Sequence, residues 1–177
     1  MLQCYTSAGI VGPLYSGKTE IRRVFEQTLC YKGISHSQIL REEIGRRQLP
    51  MDRDSFTRVY QELVERYGHD ILARLTLERV PARSGFVVDG IRHPAELEYC
   101  RGNVEGFFSI GVDVSENRDI SRRIRYNRML EMGRDIDRVN WEGFVERDML
   151  EWGGVSDLYN IEETLRLVDF RTLNNRT

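Results

Sequence analysis

Apolar residues recur along this chain in two rhythms, short unbroken runs and helical stripes, and the two alternate. Ser7-Ala8-Gly9-Ile10-Val11 is short enough for a buried strand. From Lys18 onward, Ile21, Val24, Phe25, Thr28 and Leu29 fall at i, i+3, i+4, i+7 and i+8, the spacing of one helix face. This predicts a helix ending near Lys32, with Gly33 as its C′ residue. A short strand around Ile34 follows, and Ser35-His36-Ser37-Gln38 reads as a capping box opening a helix through Ile39, Leu40 and Ile44. Leu49-Pro50-Met51 interrupts it. Asp52 or Asp54 then caps a helix with the stripe Phe56, Val59, Tyr60, Leu63, Val64 and Tyr67, ended by Gly68. A shorter helix spans Ile71 to Val80 and stops at Pro81.

Phe86-Val87-Val88-Asp89-Gly90 is apolar on both faces up to its acid, as in a strand of a parallel sheet. Pro94 suits the first turn of the next helix, which carries Leu97. Phe107 to Val114 is a further strand, and a charged helix runs from Glu116 to Met132. Asn140 caps a helix through Trp141, Phe144 and Met149, Asn160-Ile161-Glu162-Glu163 is a second capping box, and Val168 to Leu173 is a last strand. Strands alternating with helices predict an α/β fold whose mostly parallel sheet is covered on both faces.

Composition narrows the function. A chain of 177 residues, 40% hydrophobic and 31% charged, suits one domain with a real core. A formal net charge of -2 argues against a general nucleic-acid binder. Cys4, Cys30 and Cys100 form no C-x-x-C pair, which suits a reducing cytosol. No apolar run approaches the length of a membrane helix, and the first residues lack the basic start and apolar run of a signal peptide. The expectation is a cytoplasmic protein.

The most informative segment lies between the first strand and the first helix. Gly12-Pro13-Leu14-Tyr15-Ser16-Gly17-Lys18-Thr19 matches the phosphate-loop pattern G-x-x-x-x-G-K-[ST] at every fixed position. Glycines let the backbone curl so that successive N–H groups face an anion, and the following helix adds the partial positive charge of its N-terminus. In that pattern Lys18 reaches the β- and γ-phosphates of ATP and the Thr19 hydroxyl ligates Mg²⁺. Asp89 ends a strand at the carboxyl edge of the sheet, where an acid would help hold the same ion. Asp113 is the second choice for that role. His36, His69 and His93 show no metal-ligand spacing with each other or with the cysteines, and Trp141, Phe144 and Trp152 read as helix packing.

These parts, with the Val88-Asp89-Gly90-Ile91-Arg92 segment, resemble P-loop nucleotide kinases of the adenylate kinase type. They are most similar to lesser-known relatives described as like dephospho-coenzyme A kinase. Ser35 to Arg41 resembles the opening of the acceptor-binding region, Ile124-Arg125-Tyr126-Asn127-Arg128 the arginine-bearing lid helix, and Val168 to Asn175 the last strand and the loop beside the adenine. Ile91 stands where adenylate-type enzymes usually carry proline.

The resemblance implies a P-loop NTPase three-layer sandwich with a five-stranded sheet in a single domain over 1–177. An acceptor-binding helical insertion would occupy 33–80 and a lid 116–139. Arg41, Arg53 and Arg92 become ligands of an acceptor phosphate, and Arg122, Arg125 and Arg128, with Lys18, the catalytic cations. Arg118, Arg122 and Arg125 share one helix face, flanked by Arg123 and Arg128, while Arg134 and Arg138 follow. The implied activity is transfer of the ATP γ-phosphate to a small molecule, a nucleoside or deoxynucleoside monophosphate before a hydroxyl acceptor. The rival readings are a non-catalytic ATP-binding module that regulates a partner, and an RNA-associated protein using its arginine-rich helix. A single interleaved aromatic, Tyr126, and nearby acids weigh against the last.

Overall fold

The computed structural model describes residues 7–80, 85–133, 139–153 and 157–175. Five strands, β1 (Ser7–Val11), β2 (Lys32–Ser35), β3 (Phe86–Ile91), β4 (Phe107–Asp113) and β5 (Phe170–Leu173), form one sheet in the order β2-β3-β1-β4-β5. Every pairing is parallel. The central strands read as uninterrupted apolar runs because helices cover both faces; Ala8, Ile10, Val11, Val87 and Val88 are completely buried. The expected α/β architecture with a parallel sheet is present. Among the described residues, no helix is long and apolar enough to cross a membrane.

The helices are α1 (Lys18–Leu29), α2 (His36–Arg46), α3 (Arg53–Tyr67), α4 (Ile71–Leu77), α5 (Pro94–Asn103), α6 (Arg118–Met132), α7 (Trp141–Trp152) and α8 (Ile161–Arg166). Asp52 caps α3 by accepting from the Ser55 N–H, and Asn140 caps α7 through the Gly143 N–H. One core cluster joins Ile39, Leu40 and Ile44 of α2 to Phe56, Val59 and Tyr60 of α3 and Leu72 of α4, with Ile34 of β2, so these three helices pack as a layer beside β2.

Several boundaries differ from expectation. Helix α1 stops at Leu29, not near Lys32; Cys30 takes the left-handed cap at φ 54°, because Lys32 must already be extended to pair with Phe86. Gly33 therefore lies inside β2. The α1 stripe is narrower than its spacing suggests, since Val24 and Leu29 are exposed while Ile21 and Phe25 pack on the sheet. Ser35 does not cap α2 with its side chain; its hydroxyl pairs with that of Ser37. The α5 capping box, unmarked in the sequence reading, uses His93 and Glu96. Pro81, Arg134 and Arg138 lie outside the described residues.

Candidate active site

The loop between β1 and α1 curls as its glycines require. Gly12 has φ 153° and a Cβ there would lie 2.2 Å from the Val112 carbonyl oxygen of β4, while Gly17 has φ 101°. The outer carbonyls of the loop are held by side chains from elsewhere. Arg125 Nη1 donates to Leu14 O at 3.4 Å, Arg128 Nη1 to Tyr15 O at 3.2 Å, and Asn174 Nδ2 to Ser16 O at 3.1 Å. Arg128 Nη2 also donates to Asn174 O at 2.7 Å, so α6 and the segment after β5 clamp the loop together.

Lys18 starts α1 and is buried, with its ammonium donating to Pro13 O at 2.6 Å. Burial draws its pKa down to about 8; Asp89 and Glu151 pull it upward, while Arg92 and Arg125 push it lower. A desolvated ammonium that donates to a loop carbonyl fits an anionic ligand at this position. Asp89 is buried within β3, with Ile10 of β1 on one side and Ser35 of β2 on the other; the strand does not end at this acid as expected but runs on through Gly90 to Ile91, which pairs with Val11 after a register shift. Thr19 and Asp89 face the same cavity, of about 760 Å³. One hydroxyl and one carboxylate make an oxygen donor set suited to Mg²⁺, which otherwise keeps its waters. Asp113 is committed elsewhere, accepting from Ser121 Oγ at 2.5 Å and from the Val114 N–H at 2.7 Å.

Arg41, Arg53, Arg92 and Arg128 line that cavity. Arg41 lies over the Phe56 ring at 5.7 Å. Arg92 is more deeply set, with Nη1 3.5 Å from Glu151 Oε1 and its guanidinium 5.7 Å from the Tyr159 centroid. Burial works against its charge, but Glu151, Tyr159, Glu96 and Asp89 together raise its pKa. Arg122 and Arg125 are not at the cavity wall: both pair with Asp148 of α7. Neighbouring arginines of α6 stack on α7 aromatics, Arg118 on Trp152 at 4.5 Å and Arg123 on Trp141 at 5.8 Å. Much of the basic face read from the sequence is thus a helix–helix contact, with Trp141, Phe144 and Trp152 as its aromatic half.

Three groups at the site escape a sequence reading. Glu151 carries no motif. Glu96 is legible only as a capping residue, yet its carboxylate is 1% exposed and faces the cavity. His36 sits beside it. Away from the cavity, His69 and His93 stack with centroids 4.0 Å apart, and Asp157 Oδ2 lies 3.4 Å from His69 Nε2. His93 Nδ1 accepts from the Ala95 N–H, which puts the proton of the neutral ring on Nε2, toward Asp157. The fold thus brings His69, His93 and Asp157 together, their potential ligand atoms within 4.8 Å of one another, although their sequence spacing gave no sign of it.

No family model matches the chain. Among curated proteins, the UPF0200 protein PH1008 of Pyrococcus horikoshii is 30% identical over 172 residues, 95% of this chain and 87% of the relative. This chain belongs to the UPF0200 family. A second UPF0200 protein, MJ1399 of Methanocaldococcus jannaschii, is 27% identical over 176 residues, 96% of this chain and 81% of its own. Among solved structures, TT1252 from Thermus thermophilus shares the fold of this UPF0200 chain with a TM-score of 0.61 at 14% identity, covering 97% and 89% of the two chains. Shikimate kinase from Acinetobacter baumannii, in complex with shikimate, does so with a TM-score of 0.56 at 12% identity, covering 99% and 87%. The fold is the one that these two solved structures share.

Proposed function

We propose that this UPF0200 protein transfers the γ-phosphoryl group of ATP to a small-molecule acceptor. The observation that carries the reading is the placement of Lys18, buried at the end of a complete phosphate-loop motif, with Asp89 of β3 lining the same large cavity. The triphosphate would lie on Gly12 to Thr19, with Lys18 reaching the β- and γ-phosphates. Thr19 and Asp89 would hold Mg²⁺, whose charge offsets that building up on the phosphate oxygens. Arg128 lines the cavity beside the loop, where its guanidinium would offset charge on the transferring phosphoryl, while Arg125, paired with Asp148, would brace the loop through Leu14 O. The fold shared with shikimate kinase, whose solved structure is in complex with shikimate, supports the same reading.

A nucleoside monophosphate is the acceptor that Arg41, Arg53 and Arg92 would hold, since guanidinium forks bind phosphate bidentately. A hydroxyl acceptor is the second reading, favoured by the His36 and Glu96 side chains on the cavity wall. Radiolabelled transfer from ATP to a panel of nucleoside monophosphates, deoxynucleotides, nucleosides and dephospho-coenzyme A tests both. Transfer that collapses in Lys18→Ala supports the kinase. Tight ATP binding with no acceptor turnover supports a regulatory nucleotide-binding module instead. RNA binding indifferent to Lys18→Ala removes the nucleotide reading altogether.

A further inference from the structure

His36 is the first residue of α2, directly after the Ser35 that pairs with Asp89 across β2 and β3. A Cβ built on Gly90 would lie 3.4 Å from His36 Cβ, so the ring stands beside the strand end that carries Asp89. It is 2% exposed and forms part of the cavity wall, and among the described residues neither of its buried nitrogens has a hydrogen-bond partner. Nδ1 lies 3.3 Å from Glu96 Oε1, at ion-pair distance but off hydrogen-bonding alignment. Glu96 is firmly set. Its Oε2 accepts from the N–H groups of Arg92 at 2.8 Å and His93 at 3.2 Å, and Tyr60 donates to Oε1 at 3.5 Å. Burial alone would raise the Glu96 pKa, but His36 and those two backbone groups hold it below the usual value.

A carboxylate only accepts, so a neutral His36 ring that turns Nδ1–H toward Glu96 Oε1 would carry its lone pair on Nε2. Native structures satisfy nearly all such buried atoms, and an exception in a cavity wall marks a place where a bound molecule supplies the partner. Tyr60, Asp89, Arg92 and Tyr159, with Lys18 and Glu151, are among the titratable groups that line the same cavity. We infer that the acceptor attacks through a hydroxyl and that His36 Nε2 takes its proton, with Glu96 as the positioning residue. The inference rests on the phosphotransfer reading above and decides between its two acceptors. In the step, the hydroxyl proton passes to Nε2 and the freed oxygen pair forms a bond to the γ-phosphorus. The bond from that phosphorus to the β,γ-bridging oxygen breaks, and its electron pair leaves on ADP. The imidazolium that forms faces the Glu96 carboxylate and later returns its proton to water. A monophosphate acceptor already offers an anionic oxygen and would leave His36 without this task.

The test is transfer from ATP to nucleosides, sugar acids and dephospho-coenzyme A, against nucleoside monophosphates, by wild type, His36→Ala, His36→Gln and Lys18→Ala. The expected result is transfer to a hydroxyl acceptor, with kcat about 10²- to 10⁴-fold lower in both His36 variants and the KM for ATP unchanged. Added imidazole should restore part of the rate in His36→Ala and none in His36→Gln, whose side chain still fills the site. Binding of a non-hydrolysable ATP analogue checks that each variant folds; if His36→Ala does not, the loss in His36→Gln carries the test. Transfer to monophosphates alone, His36 variants within threefold of wild type, or a loss that imidazole never rescues would overturn the base assignment. If wild type transfers to nothing, or Lys18→Ala is as active as wild type, the phosphotransfer reading falls as well.

Discussion

Arg125 of α6 and Asp148 of α7 face each other inside the protein, 1% and 4% exposed, with Nη2 2.7 Å from Oδ1. The same carboxylate accepts from Arg122 Nε at 2.8 Å and from Trp152 Nε1 at 3.1 Å. Arg125 continues through Nη1 to the Leu14 carbonyl, so Asp148 sets the position of a cation that touches the phosphate loop.

Removing that acid leaves a buried guanidinium uncompensated. Asp148→Ala is expected to lose about 3–5 kcal/mol of stability, read as a lower urea midpoint and a Tm lower by roughly 6–20 °C. Replacing both partners, as in Arg125→Met with Asp148→Leu, should recover most of the loss. A single variant as stable as wild type would mean that the pair does not join α6 to α7.

The loop glycine nearest the sheet tolerates no side chain. Gly12→Ala would drive its Cβ against the Val112 carbonyl oxygen, a backbone atom, at a φ of 153°. The expected outcome is a destabilisation of about 1–3 kcal/mol together with loss of ATP-analogue binding, followed by calorimetry. Retained affinity would show that the loop shifts freely and is not shaped for an anion.

The charge on Lys18 gives a pH test. Its pKa, lowered chiefly by burial, is about 8 in the ligand-free protein. The ammonium is therefore present below that pH and lost as pH rises through it. Bound phosphate favours the charged form, so affinity for an ATP analogue should be roughly tenfold weaker at pH 9 than at pH 7. Lys18→Met should bind weakly at both, without the slope. Equal affinity of wild type at the two pH values would remove Lys18 from the phosphate contact.

Two cysteines should differ in reactivity. Cys100 is fully buried in α5, and burial pushes its thiol up to about 12, whereas Cys30 is exposed at the end of α1. Peptide mapping after brief alkylation at pH 8 should find Cys30 modified and Cys100 protected until denaturant is added. Early modification of Cys100 would indicate that α5 opens readily.

The element order was open to inspection in the linear chain because periodicity reports which faces are covered. A run such as Phe86 to Asp89 must be enclosed on both sides, and a stripe such as Phe56, Val59, Tyr60 and Leu63 on one. The phosphate loop was equally plain, since its geometry is made by neighbours in sequence. The end of α1 was not. Cys30 adopts a left-handed conformation that its residue type does not announce, because strand pairing at Lys32 leaves α1 no further turn.

Local pattern thus determined the alternation of strands and helices, the glycine-shaped turn from Gly12 into α1, and the placement of Asp89 in β3. Tertiary packing alone decided that Arg122 and Arg125 meet Asp148, that Glu151 reaches Arg92, and that His36 lies against Glu96. The physical reason is range. A turn or a helix stripe is specified by residues a few positions apart, whereas buried charges and polar side chains find partners from whichever element the sheet order brings beside them.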